Sequence, residues 1–537
     1  MDPQVLIVGA GPTGLALASH LLRGGVRVRI VDKKPGFSTT SKAIGLQYRV
    51  SEILACMGVV DRFLAKGVMP TSVNICIRDR LLVQLKFEAS ATASGRDAFS
   101  PKAIVIPQSE TERILGDLVH ERGGQIEWST EFLEFQQDEN RVMSRLRNAD
   151  GSEQQVSSDW LVSCEGAHSV IREQAGISFA GKTYALAFFL ADVELDGPLK
   201  HGENYVWMHK DGSFAALPLP TPRTWRLFID VTKNPPAGGL SLGLIRKMMI
   251  QRTGERGIEI SCPTWISEFR IHCRMVDRYR SGRVFVAGDA AHVHSPTGGQ
   301  GIVTGIQDAT NLAWKLVRVL EGAPQQLLDT YEEERLPKAA EVLKETDRTT
   351  KLLLAPGLLT RLFRDFVLLP VMRNRRVQNK LFAKFAQLHV NYRGTSLSRH
   401  EDATRSLLKA GDRAPDIAFK DYDSGQIVTL FKLLGAFRPV ALIGESILAN
   451  ITRYKRLKEF LESATIDAYV LLERDQKTVQ TRNCLVDIHG DFRRIYGMRG
   501  KFLCLIRPDD HIGLFQRPIV EDRLQDYCRC LSHASTI

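Results

Sequence analysis

Nine residues into the chain a strand breaks into a glycine turn, and little else in the sequence narrows the possible folds as much. Val5-Leu6-Ile7-Val8 is an apolar run, and Gly9-Ala10-Gly11-Pro12-Thr13-Gly14 follows it directly. A helical pattern then runs from Leu15 to Leu22 and stops at Gly24-Gly25. A second apolar run, Val26 to Val31, ends in Asp32 and Lys33. This reads as a strand–turn–helix–strand unit of about 30 residues. The three glycines serve different ends. Gly9 turns the chain, Gly11 lets a pyrophosphate approach the backbone, and Gly14 lets helix and strand pack closely. The helix N-terminus offers free N–H groups and partial positive charge to phosphates. The Asp32 carboxylate can accept hydrogen bonds from ribose hydroxyls. The pattern predicts a dinucleotide site built from Gly9, Gly11, Pro12, Thr13, Gly14, Asp32 and Lys33, without separating FAD from NAD.

A second motif is more specific. Gly282-Arg283-Val284-Phe285-Val286-Ala287-Gly288-Asp289-Ala290-Ala291-His292 leads into Pro296-Thr297-Gly298-Gly299-Gln300-Gly301-Ile302. A short strand delivers Gly288 and Asp289 to its carboxyl end, where an aspartate can bind a polyol chain. The glycines beyond let backbone N–H groups reach a planar ring without side-chain clashes. Those N–H groups open a helix and can stabilise negative charge on the ring. The candidate residues here are Asp289, Pro296, Gly298, Gln300, Gly301, Ile302 and Val303.

With these motifs, and with Gly305-Ile306-Gln307-Asp308-Ala309 and Asn311-Leu312-Ala313-Trp314-Lys315-Leu316 behind them, the chain resembles the class A flavoprotein aromatic hydroxylases. The likeness is to the phenol hydroxylase, polyketide hydroxylase and rifampicin monooxygenase branch. It implies FAD, with Asp289 on the ribityl chain and the Pro296–Gly301 loop along the isoalloxazine. Lys42 stands where the family usually has an arginine near the FAD phosphates; lysine keeps the charge and loses the bidentate fork. Gln108 matches the glutamine that contacts the flavin nucleotide. Gly45-Leu46-Gln47, Arg49 and Glu52 resemble the phenol hydroxylase version of that segment, and Tyr331 with Glu334-Arg335-Leu336-Pro337 reads as structural.

The implied reaction has two halves. NADPH or NADH reduces FAD; reduced FAD then adds O2 as a C4a-hydroperoxide, which passes one oxygen to an electron-rich carbon of an aromatic or polyketide-like small molecule. No second strand–Gly-x-Gly-x-x-Gly–helix unit is present, which fits a family whose nicotinamide cofactor has no Rossmann domain of its own. Epoxidases, Baeyer–Villiger-type oxygenases and dehydrogenases share the fold. Two departures stand out. Cys164-Glu165-Gly166-Ala167-His168-Ser169 replaces a family Cys-Asp-Gly-Ala-Arg-Ser, which keeps a catalytically poor flavin-binding protein as the contrasting reading. Ile44 stands where phenol hydroxylase has an aspartate thought to act on the phenol proton, so no catalytic residue is assigned. His292 and His294 read as hydrogen-bonded loop histidines, and Tyr205, Trp207, His209 and Arg226 as packing in the inserted sheet.

The expected architecture is α/β. A Rossmann-like FAD-binding domain in three parts (1–75, 106–178, 278–350) is interrupted by substrate-domain strands at 76–105 and a substrate-binding sheet at 179–277. A helical region at 351–405 and a thioredoxin-like domain at 406–537 follow. Helices are expected at Val50–Leu64, at Glu110–Arg122 and from about 305 to 320. The last domain rests on the resemblance, through Gly411-Asp412-Arg413-Ala414-Pro415-Asp416 and Arg507-Pro508-Asp509. None of the nine cysteines is spaced Cys-x-x-Cys, so that domain reads as structural or as forming a homodimer, and no metal site is expected. The first apolar run begins almost at Met1, and no apolar stretch approaches the ~20 residues of a spanning helix; a cytoplasmic protein is expected. The net charge of +11 includes a basic stretch, Arg361 to Arg393, interleaved with Leu and Phe. It reads as helices packed on the protein, not as a nucleic-acid or membrane site, and its field favours an anionic substrate or the NADPH phosphate.

Overall fold

The computed structural model describes residues 2–39, 43–87, 95–232, 241–254, 257–294, 299–354, 369–402, 406–473 and 483–532. Its first layer is a six-stranded sheet in the order Arg280–Ser281, Val284–Val286, Trp160–Ser163, Val5–Val8, Val28–Asp32, Ile126–Trp128. Every neighbouring pair is parallel except the first. Val5–Val8 lies inside the sheet and is buried throughout, as a strand covered on both faces must be. The chain continues to Val28–Asp32 on one side of it, while Trp160–Ser163 takes the other side. That change of direction opens a crevice at the carboxyl ends of the strands. Helices Pro12–Arg23, Gln108–Glu121 and Gly301–Leu320 cover the layer, the first packing against both of the others.

The second sheet has eight strands: His292–Val293, Glu259–Val276, Phe179–Asp196, Thr224–Asp230, Phe214–Pro218, Glu203–Trp207, Ser72–Ile77 and Arg80–Lys86, in that order. Side chains alternate between its faces. Trp225, Leu227, Ile229, Trp207 and Phe214 pack under the helix Leu242–Thr253. On the opposite face Leu217, Leu219 and Phe228 meet Ile44, Val68 and Val105 from the first layer. A third, mixed sheet of eight strands lies between Arg399 and Arg517. The turn Arg507–His511 between two of its strands reaches the helices of the first layer.

Three features differ from the sequence expectation. Val50–Leu64 is two helices, Tyr48–Cys56 and Val60–Lys66, because Gly58 takes φ +76 between them. The helix expected from about 305 begins at Gly301. Glu131–Gln137, Val142–Arg147 and Glu153–Ser158 form a small antiparallel sheet. Its exposed face carries Arg145 and Arg147 opposite Glu131, Glu134 and Glu153, and this charge hid the apolar side of Phe132, Val142, Leu146 and Val156. In the basic stretch, 361–368 lies outside the described residues; Arg375–Phe385 is a helix whose Phe382 ring packs on Tyr48 at 4.7 Å. The nine cysteines are free, and burial pushes the Cys528 thiol up to about 12. No helix among the described residues is long and apolar enough to cross a membrane.

Candidate functional site

The two glycine motifs meet at one edge of the first sheet. Gly9 has φ +108, and a Cβ there would lie 2.3 Å from the Cys164 carbonyl oxygen. A Cβ on Gly14 would lie 1.9 Å from the Gly9 oxygen. Both glycines are therefore required by backbone packing alone. Gly11 differs: a Cβ would meet nothing within 4 Å, so the space over it is open. Thr13 joins the motifs. Its Oγ1 would be 2.5 Å from a Cβ on Gly288 and 2.3 Å from one on Gly305, so the first helix is seated directly against the second turn and the helix behind it.

Asp32 ends the second strand with its carboxylate fixed at this edge. Oδ2 accepts from the Ala10 N–H at 2.8 Å and Oδ1 from the Lys34 N–H at 2.9 Å. Lys33, next to it, is exposed. Pro12 occupies the first turn of a helix that has no side-chain cap and no acidic residue in that turn. The helix Gly301–Leu320 starts the same way, from Gln300, uncapped and without an acid. Two bare helix N-termini at one sheet edge make a place for an anion. With the open space over Gly11 and two aspartates at the strand ends, the residues present fit a dinucleotide.

Gly288 and Asp289 sit where the sequence puts them, at the end of Val284–Val286, in a single turn, Gly288–Ala290. Asp289 is exposed there. Gln300 is buried, Gly301 and Ile302 are half-buried, and the Val303 side chain is in the core, so only its backbone can face a ligand. Gln108 opens the helix Gln108–Glu121; its N–H donates to Ala43 O at 3.0 Å and its side-chain amide to Glu112 at 2.8 Å. Glu112 also takes the Ser38 N–H at 2.8 Å, tying the loop beyond Asp32 to this helix. Lys42, Pro296 and Gly298 lie outside the described residues.

The Glu165 carboxylate is engaged within its own loop. Oε2 accepts from Ser163 Oγ at 3.0 Å, Ser169 Oγ at 2.7 Å and the Ile171 N–H at 3.1 Å. Its extra methylene lets it reach the start of the helix Val170–Gln174. His168 is exposed. Arg172 donates to the Ala290 carbonyl at 3.2 Å and so braces the Gly288–Ala290 turn from the side. His292 is buried, with Nε2 on Asp308 at 2.7 Å, and its ring is stacked with that of His294 at 6.5 Å.

In the second sheet, Tyr205 and Trp207 stack at 5.7 Å on the helix-covered side, turned away from the first layer. Arg226 is fully buried in a bidentate pair with Asp192, at 2.6 Å for both bonds, and lies 5.0 Å from the Trp265 ring. The His209 ring accepts the Asp211 N–H at 3.2 Å, and burial lowers its pKa. The sequence reading notes Arg172 as kept beside the altered motif and Asp308 within a matched string, gives neither a role, and passes over Tyr392. Asp308 stands inside a matched string, yet an acid in the middle of an apolar helix is itself a signal that something buried needs its charge. Among the described residues one trio, Glu341, Glu345 and His389, places ligand atoms within 4.8 Å of one another. Lys338 already pairs with Glu341 at 3.1 Å, and nothing else there points to an ion.

Comparison with known proteins adds the family. The FAD binding domain family matches residues 2–346. The chain is 36% identical over 405 residues to 6-methylpretetramide 4-monooxygenase of Streptomyces rimosus, covering 74% of this chain and 71% of that one. It is 30% identical over 533 residues to pentachlorophenol 4-monooxygenase of Sphingobium chlorophenolicum, covering 95% and 93%. The solved anhydrotetracycline hydroxylase from Streptomyces rimosus superposes with a TM-score of 0.78 at 27% identity, covering 100% of both chains.

Proposed function

The chain belongs to the FAD-binding family of class A flavoprotein hydroxylases, and from that premise we propose that it is an FAD-dependent monooxygenase placing one oxygen atom on an aromatic or polyketide-like small molecule. Relatives named for pretetramide, tetracycline and chlorophenol substrates support that substrate range. The observation that carries the reading is the seating of Thr13 against Gly288 and Gly305, because it makes one site of two motifs remote in sequence.

Bound FAD would supply the redox chemistry, taking hydride from NADPH or NADH and activating O2. The chain's own residues do the rest. The bare start of the helix Pro12–Arg23, with open Gly11, receives the pyrophosphate; Asp32 takes the ribose hydroxyls. Asp289 holds the ribityl hydroxyls. The first N–H groups of the helix Gly301–Leu320 would be the donors to negative charge on the reduced ring. The buried cluster of Ile44, Val105, Leu217, Leu219 and Phe228 makes an apolar wall between the cofactor layer and the second sheet. Such a wall suits a flat apolar substrate and keeps water from the oxygen-transfer step.

The purified protein should be yellow, and NADPH consumption should rise with one member of a panel of phenols and polyketides. The product should be heavier by one oxygen. Asp289→Ala should yield largely colourless protein. Full flavin occupancy in that variant, or a cofactor that NADPH never reduces whichever substrate is added, would count against this reading.

A further inference from the structure

A glycine in the left-handed region has no side chain with which to fix itself, so a turn built on one must be held by its surroundings. At the Gly288 turn one buried carboxylate holds the Gly288 amide, while Arg172 holds the Ala290 carbonyl. The Gly288 N–H donates to Oδ2 of Asp308 at 3.1 Å, and Nε2 of His292 shares the same oxygen at 2.7 Å. Both ends of the segment Gly288–His292 thus hang on Asp308. This aspartate is fully buried in the helix Gly301–Leu320. Burial alone would raise its pKa, but Arg335 and His292 outweigh burial and hold the carboxyl below its ordinary value.

The contacts continue outward without a gap. Arg335 donates Nε to Asp308 Oδ1 at 2.7 Å, Nη2 to the Thr304 carbonyl at 3.2 Å and Nη1 to the Tyr392 hydroxyl at 3.0 Å. The Tyr392 ring packs on His511 at 4.3 Å and under the Arg507 guanidinium at 5.3 Å. Arg507 in turn pairs with Asp509 at 2.6 Å and with Glu334, the residue before Arg335, at 2.5 Å. Every side chain named is buried. In such surroundings each hydrogen bond is strong, and each one lost leaves a costly orphan.

We infer that Asp308, Arg335 and Tyr392 are positioning residues for the cofactor, setting the Gly288–Asp289 turn from behind, and that the Arg507–His511 turn of the third sheet is part of that support. The inference rests on the cofactor role proposed for Asp289. It gives the C-terminal sheet a purpose without cysteine chemistry, since its turn completes the packing around the flavin site.

Two substitutions test it in the full-length protein. Asp308→Asn keeps the side chain's shape but turns one acceptor into a donor, facing either the Gly288 N–H or the Arg335 fork. Tyr392→Phe removes one hydroxyl and keeps the ring. Tyr496→Phe removes a buried hydroxyl, bonded to the Pro415 carbonyl at 2.8 Å, from outside the chain of contacts and serves as control. FAD is titrated into each apoprotein, with flavin circular dichroism and apoprotein melting read alongside. Tyr392→Phe should weaken FAD binding about threefold or more, as expected for one net hydrogen bond. Asp308→Asn should weaken it at least about tenfold and change the flavin dichroism, while Tyr496→Phe binds as wild type. Wild-type affinity and dichroism in both Asp308→Asn and Tyr392→Phe overturn the inference. If Asp308→Asn does not fold, Tyr392→Phe decides alone. A wild-type protein that takes up no FAD instead sinks the proposed function, and this inference with it.

Discussion

Gly11 and Gly14 stand in the same turn for different reasons, and substitution separates them. Gly14 has no room for a methyl group, since the Gly9 oxygen would be 1.9 Å away. Gly11 has room on every side in the protein alone. Gly14→Ala should therefore cost the fold, and be seen as insoluble or low-melting protein. Gly11→Ala should leave apoprotein stability within about 0.5 kcal/mol of wild type, as for a substitution that touches nothing, and yet weaken FAD binding tenfold or more. Thermal melts of apoprotein with and without FAD make the comparison; an apoprotein of Gly11→Ala as unstable as Gly14→Ala would show that the open space is not a ligand's. At this scale the sequence was informative about glycines and acids at strand ends, because their reasons are local. It assigned no role to Asp308, whose partners Gly288, His292 and Arg335 come from other segments.

Among the elements, the helix Asp329–Leu354 is pinned by Glu334 as well as by Arg335. Glu334 accepts from Lys315 and Asn311, both at 2.8 Å, and from Arg507. Burial opposes its ionisation, but Arg507 and Lys315 win and draw its pKa down to about 2 from 4.5. A carboxyl lowered on folding adds stability that is complete above its unfolded value and lost as pH falls through the folded one. The melting temperature should thus drop steeply as pH falls from about 4.5 towards 2. Glu334→Gln should destabilise the protein already at pH 7, by about 3–5 kcal/mol as for a broken buried pair, and flatten the acid limb. An acid limb as steep as wild type's would assign it to other carboxyls. Helix and strand identities were legible where hydrophobic period and breakers agreed, as in Val5–Val8 and Pro12–Arg23. The small sheet at 131–158 was not, because its strands carry charge on one face and few apolar residues on the other.

For the whole molecule, the third sheet is bound to the first layer by charge as well as by apolar contact. Arg49 meets Asp510, Glu52 meets Arg413, and Asp509 takes the Trp314 indole N–H at 3.2 Å. All are buried. Removing the chain from 406 onward should take Asp510 from Arg49, Arg413 from Glu52 and Arg507 from Glu334, and the shortened protein should aggregate on expression. A monomeric, FAD-binding product of that deletion would show the first layer to be self-sufficient. The arrangement also has a meaning in time. Arg49 and Asp510 are 461 positions apart, and at ordinary translation speeds about 20–90 s separate their emergence from the ribosome. Throughout that interval Arg49 and Glu52 have each other but lack Asp510 and Arg413, the partners they meet in the finished interior. The crevice can take its final shape only after synthesis is nearly over, so capture of the coenzyme belongs to the last moments of maturation, and a nascent chain stalled before residue 510 should still be empty.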